Sequence, residues 1–174
     1  MAKEIITQVT FTVADKLVVA DPCYIDEGDT IEGLLHVGLG IVLDECRGTW
    51  GASVVLSDEG DWGQRVSVLR AMKYGHFDFI SSWERVNDNG VDSGQMFIGC
   101  LGNFPLDYDK LLERYQLPNG AWNNDLDFFA YGEGAVSSTG YGDGCYPVYV
   151  KRDIRGNPIA VEVRFLEDAD EDEA

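Results

Sequence analysis

The sequence has no run approaching the roughly 20 apolar residues that a membrane-spanning helix needs. It also has no Cys-x-x-Cys pair and only two histidines, His36 and His76. Its four cysteines, Cys23, Cys46, Cys100 and Cys145, lie 23, 54 and 45 residues apart. Neither histidine stands at ligand-pair spacing from any of them, so a structural zinc site is not expected. The first residues, MAKEIITQVTFTV, lack the basic-then-apolar layout of a signal peptide. Without such a signal a disulfide framework has no support. The expectation is free thiols and a cytoplasmic location.

Positive charge is scarce as well. Thirteen Lys and Arg face 31 Asp and Glu, a net charge of −18. The segment EDADEDEA, residues 167–174, holds six of the acids and reads as a disordered, solvated tail. Clustered basic residues are what phosphate backbones require, so direct nucleic-acid binding is not expected. The charge suits a soluble, self-repelling surface, and it permits a basic partner or a protein that presents acids as a decoy of DNA.

What is present is core material. A chain of 174 residues that is 45% hydrophobic and 11% aromatic suffices for one folded domain, expected over residues 1–166. Most of it reads as strand. In EIITQVTFTV, Ile5, Thr7, Val9, Phe11 and Val13 share one face, the period of two of a half-buried strand. Ala14-Asp15-Lys16 can turn this strand back into KLVVA, which predicts a hairpin over 4–20. HVGLGIVLDEC (36–46) and GASVVLS (51–57) read as a second pair, and RVSVLRAMKY (65–74) and QMFIGCLG (95–102) as further strands. One helix is predicted, over 106–116, where Tyr108, Leu111, Leu112 and Tyr115 fall at i, i+3, i+4 and i+7 behind an Asp107 cap. DLDFFAYGE (125–133) fits either helix or strand. YPVYVKR and IAVEVRF, joined by DIRGNP, form the clearest hairpin, with Glu162 and Arg164 expected to face solvent. The fold class is mainly β: a β-sandwich or a strongly bent antiparallel sheet with one helix.

Four stretches set polar residues beside glycine or proline at strand ends: ADPCYI (20–25), SDEGDWGQR (57–65), GVDSGQ (90–95) and GYGDGCYP (140–147). Asp21 to Tyr24, Gly48 to Trp50, Trp62 to Val66, Val91 to Gln95 and Gly140 to Val150 form an ordered set of motifs: DPCY, G-x-W, WG-x-R-V, VDSGQ and GYGDG-x-YPVYV. As a set they resemble an uncharacterised family of small bacterial and phage proteins. The resemblance implies a fold and a provenance but no activity.

Several residues could carry chemistry. Cys145 could serve as a nucleophile if a base such as His36 or His76 approached it, but buried inert thiols are common. Asp21, Asp61, Asp92 and Asp143 each sit in one of the four loops. Brought together, they could hold a cation or act as an acid–base pair; singly, each is a turn former. NDNGVD (87–92) has the flavour of a calcium loop without its closing glutamate. DSGQ lacks the flanking glycines of a nucleophile elbow around Ser93. The GYGDG glycines open a strand, not a helix, and so match no phosphate loop. Trp50, Trp62, Tyr24 and Tyr141, with Arg65, Gln95 and the loop aspartates, could line a pocket that stacks on a base or sugar; alternatively the rings cap the core.

These readings lead to the expectation of a non-catalytic binding protein with no cofactor and no bound metal. Its ligand-binding residues would be Asp21, Tyr24, Trp50, Trp62, Arg65, Asp92, Gln95, Tyr141 and Asp143. Its partner would be a small nucleotide-like ligand or, by analogy with small phage proteins, a host defence component. The alternative is a hydrolase using a metal on the aspartates, or using Cys145, with Asp143, Cys145 and Asp92 as the catalytic candidates. An acidic DNA mimic is the third reading.

Overall fold

The computed structural model describes residues 3–25, 39–75, 82–100 and 107–166. His36, His76 and the acidic segment 167–174 lie outside them. The strands are β1 (Lys3–Val13), β2 (Leu17–Ala20), β3 (Gly40–Leu43), β4 (Gly48–Asp58), β5 (Gln64–Lys73), β6 (Glu84–Val91), β7 (Gln95–Cys100), β8 (Phe128–Ala130), β9 (Glu133–Ser138), β10 (Gly144–Arg152) and β11 (Pro158–Arg164). A helix, α1 (Tyr108–Glu113), and two 3-10 turns (Pro22–Tyr24, Gly60–Trp62) complete the described elements. Six strands form one antiparallel sheet in the order β1-β4-β5-β11-β10-β6, and five form a second in the order β3-β2-β7-β9-β8. The expected sandwich is present. No helix among the described residues is long and apolar enough to cross a membrane.

Two predicted hairpins are not formed. β1 pairs with β4 in the six-stranded sheet, whereas β2 pairs with β3 and β7 in the other. Residues 14–16 and 44–47 therefore cross between sheets instead of turning within one. The two crossings are tied together by Cys46 N–H donating to Asp15 O (2.8 Å) and by Arg47 Nε donating to Ala14 O (3.1 Å). Period-two alternation identifies a strand but not its partner. The β10–β11 hairpin forms as expected, with Val148 opposite Val163 and Val150 opposite Val161.

The main core lies between the sheets and includes Phe11, Leu17, Val19, Trp50, Leu69, Met96, Ile98, Val148 and Val163. A second cluster lies on the outer face of the five-stranded sheet. There Val18, Ala20, Phe97 and Val136 pack against Leu111 and Tyr115 of the helical segment. This explains why β7 is buried at every position: both of its faces are covered, so its sequence is a continuous apolar run and not an alternation. Gly99 pairs with Gly134 beneath the Phe97 ring, and a Cβ at Gly99 would lie 2.6 Å from Gly134 Cα.

Three local features that the sequence does not reveal have physical causes. β5 carries a bulge against β4, since Val55 faces Val68 while Leu56 faces Val66. The extra residue, Ser67, donates its hydroxyl to Val55 O at 3.0 Å. The bulge reverses the alternation, so Val66 points into the main core and so do Leu69 and Ala71. The helix is shorter than 106–116 because residues 114–116 close i to i−3 bonds, which tighten the chain into turns. Finally, Glu162 does not face solvent. It is 2% exposed and lies between Arg70 Nη2 (2.7 Å) and Arg164 Nε (2.7 Å), while the Arg164 guanidinium sits 3.7 Å from the centre of the Tyr149 ring.

Glu162→Ala should lower unfolding free energy by roughly 2 kcal/mol. It removes charge-assisted hydrogen bonds, but it leaves two arginines that keep some access to water. Urea denaturation measures this, and an unchanged midpoint would show that the buried carboxylate contributes no net stability.

Candidate functional site

The strand directions bring four motif loops to one end of the sandwich. β4 leaves into the Gly60–Trp62 turn, β2 into the Pro22–Tyr24 turn, β6 into residues 92–94 and β9 into residues 139–143.

Asp21 joins two of these loops. Its buried carboxylate accepts four hydrogen bonds: on Oδ1 from Cys23 N (2.9 Å) and Ser93 Oγ (2.6 Å), and on Oδ2 from Asp92 N (2.7 Å) and Ser93 N (2.8 Å). Every partner is a donor, which is what an acceptor-only carboxylate needs inside a protein. Ser93 is thus a structural partner of Asp21, a role that its sequence neighbours do not signal.

The VDSGQ loop then touches GYGDG. Gly94 (φ +71°) lies beside Gly142 (φ +106°), where a Cβ on Gly94 would make ordinary van der Waals contact with Gly142 Cα at 3.7 Å. Both glycines adopt left-handed backbone that other residues rarely tolerate. Gly142 O accepts from Thr139 Oγ1 and from Tyr146 Oη, both at 2.6 Å, which fixes the turn from both sides. Tyr146 also packs edge-to-face on Phe165 at 5.1 Å, so this side of GYGDGCYP is built as a turn that delivers its strand to the sheet.

The third junction joins WG-x-R-V to GYGDG. Trp62 meets Tyr141 edge-to-face, with ring centroids 6.5 Å apart and planes at 88°. Arg65 donates its Nε to Trp62 O at 3.1 Å and sets its guanidinium carbon 5.2 Å from the Tyr141 centroid. Trp62 and Tyr141 remain 69% and 53% exposed, unlike the rings of the core.

Behind this surface lies a polar layer that sequence reasoning found only in part. Gln95 is buried and sits opposite Ser138, whose hydroxyl donates to Asp127 Oδ1 at 2.9 Å. Burial pushes the Asp127 carboxyl above its usual range, against the opposing pull of the Ser138 hydroxyl and Arg65. The Tyr115 hydroxyl lies beside the Gln95 amide and burial pushes it up too, yet neither Tyr115 Oη nor Gln95 Oε1 closes a hydrogen bond. Tyr108, beside Ser93 and Cys23, is likewise raised by burial. Asp127 and Ser138 belong to no motif, and only the fold brings them here.

The remaining candidates are distributed as follows. Asp61, Asp92 and Asp143 are exposed on their loops. Tyr24 packs half-buried against the second cluster. Trp50, expected in the pocket, is fully buried in the main core at the opposite end of β4, and its Nε1 donates to Cys46 O at 2.7 Å. NDNGVD is not a loop: Asn87 to Val91 belong to β6. Cys145 is exposed on β10 opposite Gly90. The Cys23 thiol is pushed up to about 12, first by burial and then by the Asp21 carboxylate beside it. Among the described residues, no three His, Cys, Asp or Glu side chains group as metal ligands do.

A family described as "Protein of unknown function (DUF4241)" matches residues 107–163, from the cap of α1 through the GYGDG turn into β11. No curated protein and no solved structure matches the chain.

Asp21→Ala should cost about 3 kcal/mol, because it strands buried donors on two loops. Hydrogen exchange at the Asp92 and Ser93 amides should accelerate with it; unchanged exchange there would refute the clamp. Iodoacetamide reacts with the thiolate form, and a thiol at about 12 instead of 9.0 has roughly a thousandfold less thiolate near neutral pH. Peptide mapping should therefore find exposed Cys145 alkylated first and Cys23 unmodified, with Cys23 labelling appearing only as the pH is raised strongly.

Proposed function

We propose that the protein is a non-catalytic binding module whose ligand face is the loop end bearing Trp62, Arg65 and Tyr141. The observation that carries this reading is the pair of exposed rings, held edge-to-face by loops that are themselves pinned. A ring fixed before the ligand arrives loses little conformational freedom on binding, and aromatic faces left open to water offer area to a planar group. A host protein partner, of the kind small phage proteins often take, would meet the same face.

The hydrolase reading draws less support from the same geometry. Its candidates Asp92, Asp143 and Cys145 are all exposed, and the Asp21 carboxylate is occupied by the protein's own donors.

The test is 19F NMR of 5-fluorotryptophan-labelled protein titrated with planar compounds such as adenosine, arginine and tyrosine. Compounds that bind should shift the Trp62 resonance and leave that of buried Trp50 in place. The double variant Trp62→Ala, Tyr141→Ala should bind at least about tenfold more weakly, ~1.4 kcal/mol, with an unchanged melting temperature. A panel that leaves Trp62 unmoved, or a double variant that binds as well as the parent, overturns the reading.

A further inference from the structure

We infer that the planar group this face takes is an arginine side chain from a basic segment of another protein. The inference rests on the loop end being the ligand face and adds the chemistry of the occupant.

Charge is the first argument. Asp58, Asp61, Asp92, Asp125 and Asp143 are all exposed at this end. Over residues 20–25, 57–65, 90–95, 123–128 and 139–144 the one basic residue is Arg65. The chain as a whole carries −18. A phosphate-bearing or carboxylate ligand would enter against this field, whereas a cation is drawn in by it. Of the nucleotide-like and protein partners expected from the sequence, the field favours the second.

The second argument comes from the chain's own arginine. Arg65 already lays its guanidinium against the Tyr141 ring, so the platform accepts that group in this setting. Trp62 is the better cation acceptor of the two rings and is the more open at 69% exposure. Arginine suits it better than lysine, because a planar, weakly hydrated guanidinium stacks on an aromatic face while its donors reach nearby carboxylates. Acids spread over several loops match a segment carrying more than one cation, and its backbone and apolar neighbours would cover the Tyr141 edge.

The probes are a fluorescein-labelled octapeptide with three arginines spaced by glycine and alanine, and its counterpart with neutral citrulline at those positions. Anisotropy is read on the full chain at about 150 mM salt, where charges beyond roughly 8 Å are screened. The arginine peptide should bind at least about tenfold more tightly than the citrulline peptide. The double variant Trp62→Ala, Tyr141→Ala should lose that advantage, Trp62→Phe should keep most of it, and Asp61→Asn with Asp143→Asn should weaken only the arginine peptide. Melting temperatures identify any variant that fails to fold, and the fluorotryptophan spectrum of the parent then carries the test. Equal binding of both peptides with Trp62 shifted overturns the arginine assignment and leaves the ligand face standing. Arginine-peptide binding that survives the double variant, or that leaves Trp62 unmoved, marks diffuse attraction to an acidic surface and overturns the inference. So does no binding by either peptide.

Discussion

The buried carboxylate of Asp21 is the contact on which the loop end depends. It stands where β2 leaves the five-stranded sheet, and three of its four donors stand in the turn between β6 and β7. Because β6 belongs to one sheet and β7 to the other, the group fastens the two sheets together at this end. Desolvating a carboxylate is costly unless donors replace its water, and here four do. Asn89 reinforces the junction from β6, donating its Nδ2 to Val19 O at 2.8 Å. An edge strand held only by its ladder could slide or fray. These side-chain bonds fix the register of β6 relative to β2.

The clamp sets the position of everything beyond it. Residues 92–94, held by Asp21, support Gly94 against Gly142. The turn containing Gly142 presents Tyr141, and Tyr141 meets Trp62 and Arg65. The order of dependence runs from a buried charge to a glycine contact to an exposed ring. Four buried polar atoms of the described residues close no hydrogen bond: Asn89 Oδ1, Ser137 Oγ and the neighbouring pair Gln95 Oε1 and Tyr115 Oη. That pair lies on the helix-covered face, behind the ring platform. Unpaired polar atoms at such depth are uncommon and cost stability, so the polarity of this layer is not explained by packing alone.

The sequence revealed the kinds of element better than their connections. Alternation in residues 9–13 and the turn signal at 153–157 gave strands and one hairpin correctly, because both depend on local chemistry. The partners of β1 and β2 depended on a chain crossing that no local pattern marks. Val66, Leu69 and Ala71 could not be placed on one face from the sequence, since the Ser67 bulge shifts the phase between them. Glu162 looked like a solvent residue because its two arginine partners stand on β5 and two positions along β11, and only the first pairing required the fold. In the site, the four motifs were visible as loops with unusual glycine and aspartate content. That they share one end was not visible, and Asp127 and Ser138 carried no signal at all.

The scarcity of basic residues acquires a location once the ion pairs are placed. Arg70 and Arg164 are committed to Glu162, Arg85 to Asp88, Arg152 to Glu84, Lys16 to Asp44 and Lys110 to Asp107. Among the described residues, none of these pairs involves Asp58, Asp61, Asp92, Asp125 or Asp143. Apart from the buried Glu162 pairs these are exposed and contribute little stability, so their placement matters less for the strength of the fold than for where the negative field remains. That field is left at the end where two aromatic rings stay open to water. Apolar area alone would select partners poorly, and acids alone would attract any cation. A fixed ring beside carboxylates that join none of these ion pairs asks for both properties in one group, and a guanidinium has both.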